Sequence, residues 1–83
     1  MQEFLEFVIR HLVDFPDEMM LTTSEANKKT IFKLRVRQSD IGKVVGKHGQ
    51  TILAIRNILN AAAARIGQKA VFEIIEEGRS GEG

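Results

Sequence analysis

The chain has no cysteine, no tryptophan and no tyrosine, and a single proline, Pro16, among its 83 residues. Without cysteine there is no disulfide framework, no thiolate zinc site and no cysteine nucleophile, and a small domain without such staples is expected in a reducing compartment, the cytoplasm. Glu3 and Glu6 stand where a signal peptide needs a basic region, and no apolar run approaches the ~20 residues that cross a bilayer, so neither export nor a membrane partner is expected. The two histidines, His11 and His48, lie far apart with no carboxylate pair at ligand spacing near either. A metal site or an acid–base pair is therefore not expected, and His11 reads as a surface or structurally satisfied residue. No nucleophile, base and orienting group converge, so neither enzymatic activity nor a cofactor is expected.

What is present suits one small folded unit. Apolar residues make up 43% and charged residues 28%, too hydrophobic for a disordered chain and too short for two domains. The expected division is a single domain over residues 1–77 and a flexible, solvated tail over 78–83. The formal net charge of +1 hides a segregation. Residues 1–27 set Arg10 against six acids, and residues 70–83 set one base against four. Between them, residues 28–69 set ten bases against Asp40 alone. Such a block makes a local positive field that attracts polyanions, although Lys33, Arg35 and Arg37 could equally be the solvated face of a strand.

Phe4, Leu5, Val8, Ile9, Leu12 and Val13 recur at helical spacing, which predicts an amphipathic helix from Gln2 to Val13, stopped near Asp14 by Pro16. Residues 19–24 read as a short, weak strand and residues 25–29 as a polar turn. Thirty to 37 then alternate as a clear strand, with Phe32, Leu34 and Val36 on one face, so the pair reads as a hairpin over 19–37. Ser39 or Asp40 can cap a short helix ending at Val45, and a long helix is predicted from Gln50 to Ile66, stopped by Gly67. On that helix Ile52, Ile55, Leu59, Ala62, Ala63 and Ile66 share one face, the expected core face. Residues 69–76 return to strand character, with Phe72 and Ile74 on one side. The order predicts an α+β fold, helices on one face of a three-stranded sheet.

The densest signal is the run Ile41-Gly42-Lys43-Val44-Val45-Gly46-Lys47-His48-Gly49-Gln50-Thr51-Ile52, with three glycines in eight residues between two helices. Gly46 and Gly49 would let backbone approach a ligand, the helix that starts near Gln50 offers unpaired N–H groups to an anion, and Lys47 and His48 add donors. A Walker loop is excluded because three residues, not four, separate Gly42 from Gly46 and His48 follows Lys47. A dinucleotide fingerprint is excluded because Val44 stands where its first glycine would fall. What remains is Gly-x-x-Gly between helices, a weak motif alone but set here in a specific order of elements.

Loop and element order together resemble the KH domain in its bacterial, type II arrangement, α-β-β-α-α-β, over residues 2–76. The resemblance is closer still to the small, free-standing KhpA-type proteins. It implies a mixed sheet, with strands 30–37 and 69–76 parallel and strand 19–24 antiparallel beside 30–37, and three helices on one face. It also implies a function: binding single-stranded RNA, as an RNA chaperone or post-transcriptional regulator, with the loop clamping about four nucleotides by their backbone. In that reading Gly42, Lys43, Gly46, Lys47, His48, Gly49 and Gln50 contact RNA. Ile41, Val44, Val45 and Ile52 floor a groove for the bases, and Lys28 and Lys29 sit in a variable loop across it. His48 replaces a second basic residue common in the family, which ties the loop's charge to one imidazole. Lys33, Arg35 and Arg37 would face away on the exposed sheet and attract RNA without reading it. The stacking surface of an RRM or cold-shock protein is not expected, since Phe4, Phe7, Phe32 and Phe72 fall in the apolar phase of their elements and read as core.

Leu53, Ala54, Asn57, Ile58, Ala61 and Ala64 fall outside the core face of the long helix. This strip either packs under the first helix, or reflects alanine's helix propensity, or meets a partner. The family's habit of pairing implies a homodimer or a heterodimer with a larger Jag-type KH protein. The alternative function is then a protein–protein adaptor with only residual RNA affinity.

Overall fold

The structure, a computed structural model, describes residues 1–75, so the expected tail over 78–83 and the strand residue Glu76 lie outside the described residues. Six main elements follow one another: α1 (Gln2–Leu12), β1 (Met20–Ala26), β2 (Lys29–Arg35), α2 (Ile41–Val45), α3 (Gln50–Ala64) and β3 (Lys69–Ile75). Single 3₁₀ turns at Pro16–Glu18, Gln38–Asp40 and Lys47–Gly49 join them. This is the α+β, type II KH arrangement, a mixed three-stranded sheet with three helices.

β2 is the central strand. β1 lies antiparallel to it, Met20 opposite Arg35 and Ala26 opposite Lys29, while β3 runs parallel, Lys29 opposite Lys69 and Arg35 opposite Ile75. Alternation along β2 and β3 sends Thr30, Phe32, Leu34, Ala70 and Phe72 to the helix side, where they are buried, and leaves Lys29, Lys33, Arg35, Lys69 and Glu73 exposed. α1 contributes Leu5, Ile9 and Val13 to this core, α2 contributes Val44, and α3 contributes Ile55, Leu59 and Ala63. Each large side chain so enclosed contributes ~1.5–3 kcal/mol relative to exposure, and the core they form is continuous across all three helices.

α3 ends as its sequence predicts. Gly67 takes φ 72°, its N–H donates to the Ala64 carbonyl at 3.1 Å, and the Gln68 N–H donates to the Ala63 carbonyl at 2.9 Å, the paired bonds of a glycine-stopped helix.

Several expectations are corrected. β1 does not fade at residue 24 but pairs through Ala26, because the hairpin closes with only Asn27 and Lys28, both at positive φ. β2 starts at Lys29 and stops at Arg35, although Val36 remains buried. Phe4 and Phe7 are not core: Leu5 and Ile9 alone are buried on α1, and Phe7 is 63% exposed, its ring centroid 4.4 Å from that of His11. His11 Nδ1 lies 2.8 Å from the Phe7 carbonyl oxygen, a local bond within the helix. Ile66 lies past the last turn of α3 and is 64% exposed instead of completing the core face. Asp40 makes no side-chain cap to α2.

Candidate nucleic-acid interface

Asp40 turns inward instead. It is 1% exposed, and its carboxylate accepts hydrogen bonds from the Asp14 N–H at 3.2 Å and the Phe15 N–H at 3.0 Å. Proline at 16 holds Phe15 extended, beyond the reach of α1's own ladder, so these two amides need an acceptor. The bonds tie the end of α1 to the root of α2. Around the same junction Lys43 Nζ lies 3.3 Å from the Asp14 carboxylate, and Arg37 donates to Glu18 at 3.0 Å while stacking 4.2 Å over the Phe15 ring. Arg37 therefore belongs to this junction and not to the sheet face where it was expected.

From that root α2 runs for one turn and ends at Gly46, whose N–H donates to the Gly42 carbonyl at 2.8 Å. Gly46 has φ 82°, and a Cβ there would overlap Cβ and Oγ1 of Thr51. Only glycine lets the chain cross this close to the first turn of α3. His48 and Gly49 then take φ 58° and 72°, and the Gly49 N–H closes the turn onto the Gly46 carbonyl at 3.1 Å. Lys47 and His48 are left exposed, and no side chain caps the N-terminus of α3. The result is a tight cationic loop at the positive end of a fifteen-residue helix, with little side-chain bulk over its backbone.

Beside the loop Ile41, Val45 and Ile52 are half-buried and pack against or beside the core, while Gly42, Lys43 and Gln50 are exposed. Val44 is wholly enclosed and supports this apolar floor from beneath without lining it. Gly42 faces open space: a Cβ built there meets nothing within 4 Å.

Two residues on α3 escaped the sequence reading. The Arg56 guanidinium donates through Nε and Nη2 to the Phe72 carbonyl, at 3.3 and 3.2 Å, and Asn60 Oδ1 accepts from the Ala70 N–H at 3.4 Å. Together they hold the outer edge of β3 against α3. Their spacing of four, beside the core positions Ile55 and Leu59, is the signal that could have found them. The contacts also fix direction: moving back along α3 from Ala63 to Asn60 to Arg56 moves forward along β3 from Gln68 to Ala70 to Phe72. The loop and the start of β3 thus lie at opposite ends of α3. Lys28 and Lys29, at the hairpin tip beside Lys69, share the far end and are not brought to the loop.

The strip on α3 is open. Leu53 is 56% and Ile58 50% exposed, and Ala54, Asn57, Ala61 and Ala64 are exposed with them, so it does not pack under α1. Among the described residues no helix is long and apolar enough to cross a membrane, and no three His, Asp or Glu side chains cluster as metal ligands.

Residues 2–74 match the family model described as KhpA/KhpB, KH domain. The chain is 43% identical over 74 residues to the RNA-binding protein KhpA of Borreliella burgdorferi, covering 89% of this chain and 90% of that protein. It is 43% identical over 77 residues to its namesake in Chlamydia trachomatis, covering 93% and 99%, and 37% identical over 76 residues to that of Aquifex aeolicus, covering 92% and 96%. No solved structure matches. A type II fold, a Gly-x-x-Gly loop at the α2–α3 junction and likeness along nearly the whole chain converge on one statement: the protein belongs to the KhpA/KhpB family of KH domains.

Proposed function

We propose that this protein binds single-stranded RNA, without enzymatic activity, as an RNA chaperone or post-transcriptional regulator. The observation that carries the reading is the Gly46–Gly49 loop. Its left-handed residues bare the backbone, Lys47 and His48 project into solvent, and the uncapped start of α3 stands behind them. The loop is suited to hold phosphates, and the half-buried Ile41, Val45 and Ile52 offer bases an apolar floor beside it. That relatives of this chain carry the name RNA-binding protein supports the same reading.

Changing Lys47 and His48 together to Asp puts two anions where phosphates would lie. Charge-assisted contacts contribute ~1.5–3 kcal/mol each, so affinity for single-stranded RNA should fall at least about a hundredfold. Both side chains are exposed and acids are tolerated at a helix N-terminus, so the melting temperature should stay within a few degrees. A folded double mutant that binds RNA within about threefold of wild type would reduce the loop to an interhelical turn.

The open strip on α3 favours a second reading that can coexist with the first. Leu53 and Ile58 present apolar surface flanked by alanines that admit a close backbone, which suits a homodimer, or a heterodimer with a Jag-type KH protein, and would make the chain an adaptor if RNA affinity proved residual.

A further inference from the structure

The tip of the β1–β2 hairpin carries two features that work against stability. Its turn holds Asn27 and Lys28 at φ 51° and 61°, and the second place of such a turn suits glycine, yet here it bears a lysine. The sheet register then sets Lys29 directly opposite Lys69, both exposed on the face away from the helices, where like charges on neighbouring strands repel. The Lys69 N–H donates to the Lys28 carbonyl at 3.0 Å, so the backbone fixes all three lysines to one corner of the sheet. None of the three makes an ion pair among the described residues. The acid nearest in register on the outer face, Glu73, stands farther along, opposite Lys33, and Glu25 stands opposite Thr30, whose side chain is buried on the other face. Strain and repulsion concentrated at one exposed point, with no local compensation, suggest side chains kept for an outside anion.

We infer that Lys28, Lys29 and Lys69 form a second phosphate-holding site, which grips the same RNA strand downstream or upstream of the segment on the Gly46–Gly49 loop. The inference rests on the RNA-binding reading and adds a footprint to it. The two sites stand at opposite ends of α3, whose fifteen residues at 1.5 Å each separate them by about 20 Å. Because the loop clamps about four nucleotides, the lysine corner acts only on strands long enough to run past it. The Arg56 guanidinium, seated on the Phe72 carbonyl between the two ends, keeps the route cationic. Lysines are compact point charges that contact phosphate without reading bases, so the site adds affinity and salt dependence but no sequence preference.

The test compares the wild type with a Lys29→Gln/Lys69→Gln double variant and a Lys28→Gly variant, using NMR titration with oligouridylates of about four and about twelve nucleotides. On the short oligomer the double variant should match wild type within about twofold; on the long one it should bind about tenfold more weakly, its log–log salt slope shallower by about 1.4 for two lost contacts. Lys28→Gly should likewise weaken only the long oligomer. Neither variant should melt below wild type, since one relieves repulsion and the other relieves a left-handed lysine. Long-oligomer binding unchanged in the double variant, or equal losses on both oligomers, would overturn the second site while leaving the loop reading intact. A wild type that binds neither oligomer would instead overturn the RNA-binding reading, and the site with it.

Discussion

Asp40 shows how much one buried carboxylate can organise. It receives two backbone N–H groups from the segment after α1, and Asp40→Ala would leave both without an acceptor in a closed interior. The expected cost is ~2–4 kcal/mol, a fall in melting temperature of at least ~10 °C, read by circular dichroism, with Asp40→Asn falling between the two. Gly42 should behave in the opposite way. An alanine Cβ there meets open space in a helical segment, so Gly42→Ala should stabilise the fold by ~0.5–1 kcal/mol. If the exposed backbone at Gly42 is where RNA passes, the same variant should bind RNA more weakly, and a rise in stability coupled to a loss of affinity would mark the residue as shaped by its ligand. Neither role was legible in the sequence beyond residue type. An aspartate before a short helix reads as its cap, and nothing local announces that Pro16, far back in the chain, has left two amides needing that carboxylate.

Among the elements, α2, the loop and α3 were the most legible, because glycines punctuate them and α3 is strongly periodic. The hairpin was the least. Ser24, Glu25 and Ala26 have little strand propensity, and the turn Asn27–Lys28 lacks the glycine that would flag a two-residue connection; pairing with β2 overrides both. Burial on α1 was misjudged because a wide apolar stripe includes Phe4 and Phe7, while a short helix lying on a small sheet can bury only its central line, Leu5 and Ile9. The open strip of α3 was correctly separated from its core face, and its use can be tested. Ala61→Phe places a ring among the small residues, and overpacking a close helix contact costs ~1–3 kcal/mol. Sedimentation should show a dimer giving way to the 9.3 kDa monomer, with the fold retained. A mass that does not change would mean that the strip is not a self-association surface.

For the whole molecule, the charge segregation read from the sequence takes a definite shape. The basic block spans α2, the loop, α3 and the exposed side of β2, whereas acids crowd α1 and the turns that follow it. If the loop and its flanks neutralise three to five phosphates, log affinity against log salt should fall with a slope of roughly −2 to −3.5, at ~0.7 per contact, and a slope near zero would exclude a phosphate clamp. A duplex of the same composition should bind more weakly, because the apolar floor beside the loop admits only unstacked bases.

The parallel pairing of β2 with β3 also governs how the chain assembles. The hairpin can close across two residues, and α1 and α3 can form from neighbours in sequence, but β3 finds its place beside β2 only after everything from Val36 to Gln68 has folded back as a crossover. Closing so long a loop costs chain entropy before any contact rewards it, so β3 should dock late, drawn in by Phe72 against the core and by Arg56 and Asn60 reaching for its edge. In refolding, the groove side of the domain would then be the last part to appear, and in local opening the first to come away. The surface offered to RNA would be the least durable part of the fold, and a bound strand lying along it would slow its release.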